Sequence, residues 1–193
     1  MTVFASLKGK TKISVDTRSA KVAEFAIKNG ADIINDVSFL SDKNMAKTVI
    51  DYNKTLVLMH SKGNPKTMDK MCEYSDIEEE IYKSLYKKIC ELEELGYSSQ
   101  NLIIDMGFGF AKNVEQNFEL MKKIKNFKSL GYPILCGVSR KRFIQSVAKE
   151  KSLEELDILT SISSFYFALQ DIDILRVHNP YLTRLALDFA KLL

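Results

Sequence analysis

Tryptophan is absent from the 193 residues, histidine occurs twice, cysteine and proline three times each, and glycine eight times. So little glycine and proline excludes a collagen-like or low-complexity chain, and so few cysteines exclude a disulfide-stapled scaffold. Cys72, Cys90 and Cys136 lie far apart, with no CxxC pair and no histidine beside them. That spacing argues against a zinc site and fits a reducing cytoplasm. An excess of one charge is lacking too: 28 basic and 25 acidic residues are scattered along the chain, leaving a net charge of +3 and no basic stripe for a nucleic acid. No stretch approaches the roughly 18 uninterrupted apolar residues that cross a bilayer. Residues 1–12 show no apolar core followed by small residues, so neither a secretion signal nor a membrane partner is expected.

What is present is the composition of an ordinary globular protein, 46% hydrophobic and 27% charged, and the length suits a single domain over residues 1–193. Short β-rich runs alternate with longer segments of helical period, the pattern of βα units on a parallel sheet. Six strands are expected, at 12–16, 32–36, 55–60, 101–105, 133–137 and 173–178. Several are unbroken apolar runs, such as Leu56 to Met59 and Leu102 to Ile104, as suits strands covered by helices. Over 76–95, Ile77, Ile81, Leu85, Ile89 and Leu92 recur at helical spacing, behind a Ser75-x-x-Glu78 capping box and ahead of Gly96. A second helix is expected over 114–130, with Phe118, Met121, Ile124, Phe127 and Leu130 on one face and Gly131 at its end. Further helices are expected at 20–29, 42–52, 153–169 and 181–192.

Polar or charged residues stand at the C-terminal end of nearly every strand: Asp16, Asn35 and Asp36, His60, Asp105, Ser139 to Lys141, Arg176 and His178. In β/α barrels that end carries the chemistry. Any one of these residues also has a plain use as a cap or turn, but agreement across six strands favours a site.

The stretches Ile13-Ser-Val-Asp-Thr17, Ile34-Asn-Asp-Val37, Leu58-Met-His60 with Gly63-Asn-Pro65, Asp105-Met-Gly-Phe-Gly-Phe110, Gly137-Val-Ser-Arg-Lys141 and Arg176-Val-His178 occur in that order. Together they resemble dihydropteroate synthase, over essentially the whole chain. The resemblance implies an α/β fold of the (β/α)8 TIM-barrel type, here a partial barrel of about six parallel strands. It implies a transferase of folate biosynthesis that joins p-aminobenzoate to 6-hydroxymethyl-7,8-dihydropterin pyrophosphate and releases pyrophosphate. Such a displacement at a methylene carbon is served by orientation and by stabilising the departing anion.

Residue by residue, the resemblance assigns pterin binding to Asp16, Asn35, Met59, Asp105, Gly137, Lys141 and Arg176. Asp105 follows a buried strand and precedes a Gly-Phe-Gly turn, so its carboxylate either reads the amino-pyrimidine edge or caps the next helix. Asp36 is read as structural, and Met59 as an apolar wall under the ring or a core methionine. Lys141, Arg176 and His178 are the catalytic candidates: the lysine on the ring's polar edge, the arginine over its face, the histidine toward the leaving pyrophosphate. Phe110 and Ser139 are assigned to p-aminobenzoate, Ser139 either holding the carboxylate near a helix N-terminus or serving as an ordinary N-cap. His60 carries the larger structural weight.

The order of motifs begins at what would be the family's third strand. Residues 1–7 then read as the tail of the helix before it, and the first two βα units are not found. With them would go an Asn-x-Thr-Pro-Asp-Ser-Phe-Ser-like loop that binds magnesium and pyrophosphate and a Ser-Thr-Arg-like stretch framing the aminobenzoate. Mg2+ is therefore expected from the family, with no protein ligand in this chain, and the chain alone is expected to be inactive and to need a complementing N-terminal segment. A homodimer through the C-terminal helices is an expectation of the same kind. Met106, Ala111 and Asn179 depart from the usual proline, glycine and aspartate. The alternatives are a methyltetrahydrofolate-type methyltransferase, or a non-catalytic pterin-binding chain that supports a partner.

Overall fold

A computed structural model describes residues 7, 9–64 and 66–193. Apart from Leu7, the expected helix tail over residues 1–7 lies outside the described residues. Six strands, β1 (Ser14–Thr17), β2 (Ile33–Asp36), β3 (Thr55–Met59), β4 (Leu102–Asp105), β5 (Ile134–Cys136) and β6 (Ile174–Leu175), form one sheet in chain order. Every adjacent pair is parallel. Between and after them run α1 (Ala20–Lys28), α2 (Met45–Asp51), α3 (Ile77–Glu94), α4 (Val114–Lys122), α5 (Arg142–Gln145), α6 (Leu153–Leu169) and α7 (Pro180–Ala190). Parallel strands in sequential order, joined through helices, make the wall of a β/α barrel, here a partial one of six strands.

The core lies between sheet and helices. Leu56, Leu58, Ile104 and Ile134 from the strands meet Ile81, Leu85 and Leu92 from α3, all buried. Burial of each such side chain is worth about 1.5–3 kcal/mol. The apolar run of β3 is therefore explained by cover on both faces.

The edges of the elements differ from the sequence expectations in instructive ways. The cap of α3 is Asp76, whose carboxylate accepts from Glu79 N–H at 3.0 Å, while Ser75 N–H donates to Glu80 Oε1 at 2.7 Å. The expected Ser75/Glu78 box is thus shifted, because an ionised carboxylate outcompetes a hydroxyl for the helix N–H groups. The helix expected over 114–130 is α4 followed by a 3-10 helix, Ile124–Leu130. Ile124 and Phe127, three residues apart and both buried, lie directly one above the other when the turn tightens to three residues. Gly131 then ends it at φ +83°, as expected. The last strand is shorter than the expected 173–178. Arg176 N–H still donates to Cys136 O at 2.9 Å, but beyond it the chain turns into α7 through Asn179 and Pro180. Among the described residues no helix is long and apolar enough to cross a membrane.

Tyr97 fastens the start of two strands. Its hydroxyl accepts from Leu56 N–H at 2.8 Å and lies 2.9 Å from Lys54 O and 2.7 Å from Asn101 O. Tyr97→Phe leaves the buried Leu56 N–H without a partner and should lower unfolding free energy by about 1–3 kcal/mol in a urea titration.

Candidate active site

The sheet register brings the polar strand ends together. Asp16 on β1 stands beside Asn35 on β2, and Met59 on β3 beside Asp105 on β4. Asn35 Nδ2 donates to Asp16 Oδ1 at 2.9 Å, while Asn35 Oδ1, in a residue only 1% exposed, has no partner. Asp105 is also 1% exposed: Oδ1 accepts from Gly107 N–H at 2.7 Å and Oδ2 is unpartnered. Two buried oxygens without donors, on strands held apart only by β3, define a spot that accepts hydrogen bonds.

Cations surround that spot. Lys141 donates to Phe108 O and lies 4.7 Å over the Phe110 ring. Arg176, beyond β6, pairs with Asp16 of β1, so the two edges of the six-stranded sheet meet through a salt bridge. Gly137 makes room for this: a Cβ there would lie 3.1 Å from Arg176 Nε and 3.4 Å from Nη2. Burial raises the Asp105 pKa, and Lys141, the Gly107 N–H, Arg176 and Lys112 pull it back down. Burial pushes Lys141 down to about 8, with Asp105 opposing.

Ser139 and His178 form a separate couple. Ser139 Oγ lies 2.9 Å from His178 Nδ1 and 3.3 Å from His178 N. A helix does follow Ser139, but α5 starts at Arg142 with Lys141 as its N-cap residue, so Ser139 is not the cap and faces His178 and Thr160. Between them, Arg140 makes a two-toothed pair with Asp157 of α6, at 2.9 and 3.0 Å, which ties this loop down. A cavity of about 230 Å3 is lined by Gly137, Ser139, Lys141, Arg176 and His178. A second, of about 610 Å3, opens on the other side of Lys141 between Phe110, Arg140, Arg142 and Phe143.

Met59 is fully buried. Asp36 is buried, with its carboxylate accepting from Ser38 N, Ser38 Oγ and Leu40 N. These bonds span Phe39 and Leu40, which stand at φ +57° and +58°. His60 is buried against Lys112 and Phe39. The sequence reading passed over Lys112 and Asn117. Asn117 Oδ1 accepts from Gly109 N–H at 2.6 Å and its Nδ2 donates to Asn113 O at 2.6 Å and Lys112 O at 3.2 Å. A signal existed: Asn113 and Gln116 form a capping box, which puts Lys112 just before the cap and Asn117 one residue past the box, where apolar residues usually staple the helix start. A lysine and an amide in those places mark a polar loop to be held.

A partial β/α barrel with its polar groups gathered at the strand C-termini is a barrel-type enzyme architecture. Residues 2–178 match the family described as "Pterin binding enzyme", and the chain belongs to this family. It is 40% identical over 169 residues to dihydropteroate synthase of Clostridium beijerinckii, covering 86% of this chain and 60% of that protein. Among solved structures it resembles dihydropteroate synthase of Thermus thermophilus in complex with 4-aminobenzoate, with 30% identity, TM-score 0.91, and coverage of 98% of this chain and 72% of the other. The Anaplasma phagocytophilum enzyme with bound 6-hydroxymethylpterin-monophosphate gives 33% identity, TM-score 0.85 and coverage of 94% and 69%. The chain thus spans about 60% of the length of the Clostridium relative.

Two glycines separate the site's backbone demand from ordinary turn geometry. A Cβ on Gly107 (φ +68°) would sit 1.9 Å from His60 O, whereas one on Gly131 (φ +83°) would meet nothing within 4 Å. Gly131→Ala should cost about 1 kcal/mol of stability, and Gly107→Ala about 3 kcal/mol or more, since backbone must move. Equal losses in paired urea titrations would refute this account of the loop.

Proposed function

We propose that the chain carries the pterin-binding and leaving-group side of a dihydropteroate synthase. The observation that carries this reading is the pair of unpartnered buried acceptors, Asp105 Oδ2 and Asn35 Oδ1, under an arc of cations in a pterin-binding family member. The amino-pyrimidine edge of a pterin offers adjacent N–H donors, and a buried carboxylate with one free oxygen suits them. Lys141 retains ammonium hydrogens for the ring's carbonyl, and Met59 forms part of the floor. Phe110, in the wider cavity beside Lys141, is assigned to the aminobenzoate ring.

In the reaction so read, the p-aminobenzoate nitrogen attacks the pterin's methylene carbon as the carbon–oxygen bond to pyrophosphate breaks. The amine loses a proton to solvent or to the departing anion. Arg176 and His178 lie in one cavity with Ser139 and Lys141, a donor-rich wall against which the negative charge develops. Ser139, expected with the aminobenzoate, also orients His178 through its 2.9 Å contact. Magnesium belongs to the family expectation. The described residues contain no group of three His, Cys, Asp or Glu side chains suited to a metal, and Asp16 is engaged with Arg176 and Asn35. They do not fit a magnesium centre. The synthase is favoured over methyl transfer because a methyl donor has no need of the anion wall formed by Lys141, Arg176 and His178.

The exposed apolar residues Ile158 and Ile162 of α6, with Leu185 and Phe189 of α7, are assigned to self-association, and the free edges of β1 and β6 to a complementing segment.

Asp105→Asn replaces a charged acceptor by an amide that presents its own N–H to ring donors. Pterin affinity should fall by about 2–4 kcal/mol in calorimetric titration, and unchanged affinity would remove Asp105 from the site. With a segment bearing two further βα units supplied in trans, Lys141→Ala and Arg176→Ala should each lower p-aminobenzoate-dependent pyrophosphate release by about 100-fold. Loss of folding in either variant would instead mark that residue as structural.

A further inference from the structure

Lys112 is a buried charge to which the reading above gives no task. The residue is 8% exposed, and its ammonium meets Gly107 O at 3.0 Å, Phe110 O at 3.0 Å and His60 Nδ1 at 3.3 Å. An ammonium has three donors and no acceptor, so these partners use it fully and leave none for a ligand. His60 is kept neutral, by burial above all and then by Lys112 and Lys62, and accepts at Nδ1 as the Nε2–H tautomer. Gly107 links this cluster to the site, because its carbonyl is held by Lys112 while its N–H holds Asp105 Oδ1 at 2.7 Å. Asn117 holds the same loop at Gly109 N and Lys112 O, but it adds no charge.

We propose that Lys112 is a positioning residue for pterin recognition: by fixing the Gly107 peptide and placing a positive charge behind Asp105, it keeps that carboxylate ionised with its free oxygen turned to the ligand. This rests on the pterin reading of the site. A lysine that merely filled space would need only its stem, which methionine nearly reproduces.

The sign of the pH dependence follows from the groups around Lys112, which are Asp105, Lys141, Lys62, Cys72 and His60. Burial pushes Lys112 down to about 7, against the pull of Asp105. Below that pH the ammonium is complete. As pH rises through it, one donor and the charge behind Asp105 are lost and affinity falls. Lys141, pushed down only to about 8, gives a later loss, and Asp105, raised by burial, weakens binding at the acid end.

The test is titration of the chain with 6-hydroxymethylpterin from about pH 6 to 8, with folding followed by circular dichroism. Lys112→Met should bind about tenfold or more weakly at pH 6.5, equivalent to one lost charged hydrogen-bond donor. It should also lack the fall in affinity that the wild-type chain shows between about pH 6.5 and 7.5. A folded Lys112→Met with wild-type affinity overturns the proposal. If that variant does not fold, the wild-type profile decides, and a flat one over this range overturns it. A folded wild-type chain that binds no pterin at any pH overturns the pterin reading itself, and the proposal with it.

Discussion

Asp105 ends β4 almost wholly removed from water, and a carboxylate in that position stays charged only if its surroundings replace the lost hydration. The Gly107 N–H replaces part of it, and that single bond dictates the loop. To turn its N–H back on the preceding carboxylate, Gly107 adopts φ +68° with its Cα pressed so close to His60 O that no side chain fits. The folded-back turn leaves the carbonyls of Gly107, Phe108 and Phe110 pointing inward, and lysines answer them, Lys112 for the first and third and Lys141 for the second. The same loop holds Ala111 at φ +48°, in the left-handed region that favours glycine. Asn117 at the start of α4 holds the remaining Gly109 N–H, so helix, loop and strand end are set by one buried charge.

The second constraint is curvature. β1 and β6 are the outermost strands of the sheet, yet Asp16 and Arg176 pair with each other. A flat sheet would hold those residues five strand spacings apart, about 24 Å. The six strands must therefore curl toward the closed barrel, and the polar ends meet as the wall bends. Gly137 belongs to this constraint: the guanidinium crosses the end of β5 where a methyl group would obstruct it.

Strand number, order and the main helices were readable because each rests on a local signal: apolar runs of strand length, helical spacing, and polar residues closing each strand. The α3 cap slipped because Ser75 and Asp76 are adjacent capping residues, and the winner depends on the charge of Asp76 and on Glu80 reaching back to Ser75. The helix past Lys122 was over-extended because Ile124, Phe127 and Leu130 satisfy a spacing of three as well as one of 3.6. At the site, Asp16, Asn35, Asp105, Lys141 and Arg176 could be gathered from strand position alone. Lys112 could not, since lysines in loops are ordinarily solvated and only the folded-back turn shows that its charge is enclosed. The Ser139–His178 contact was hidden because it joins loops 39 residues apart.

The charges of this strand-end cluster depend on one another. Lys141 and Arg176 oppose the burial that raises the Asp105 pKa, and Asp105 opposes the burial that depresses Lys141 to about 8. Both cations lower the Asp105 pKa and Asp105 raises that of Lys141, while Arg176, a like charge, lowers that of Lys141. On the proposed reading, an anionic leaving group arriving beside Lys141 would favour its ammonium, and that positive charge lowers the Asp105 pKa. On that reading, capture of the ring and capture of the anion would be coupled electrostatically, because Lys141 borders both the cavity with Arg176 and the one with Phe110. The rigid loop behind Asp105 serves that coupling. A carboxylate free to rotate would answer a change in nearby charge by turning away, whereas one fixed through Gly107 answers it by binding its donors more tightly.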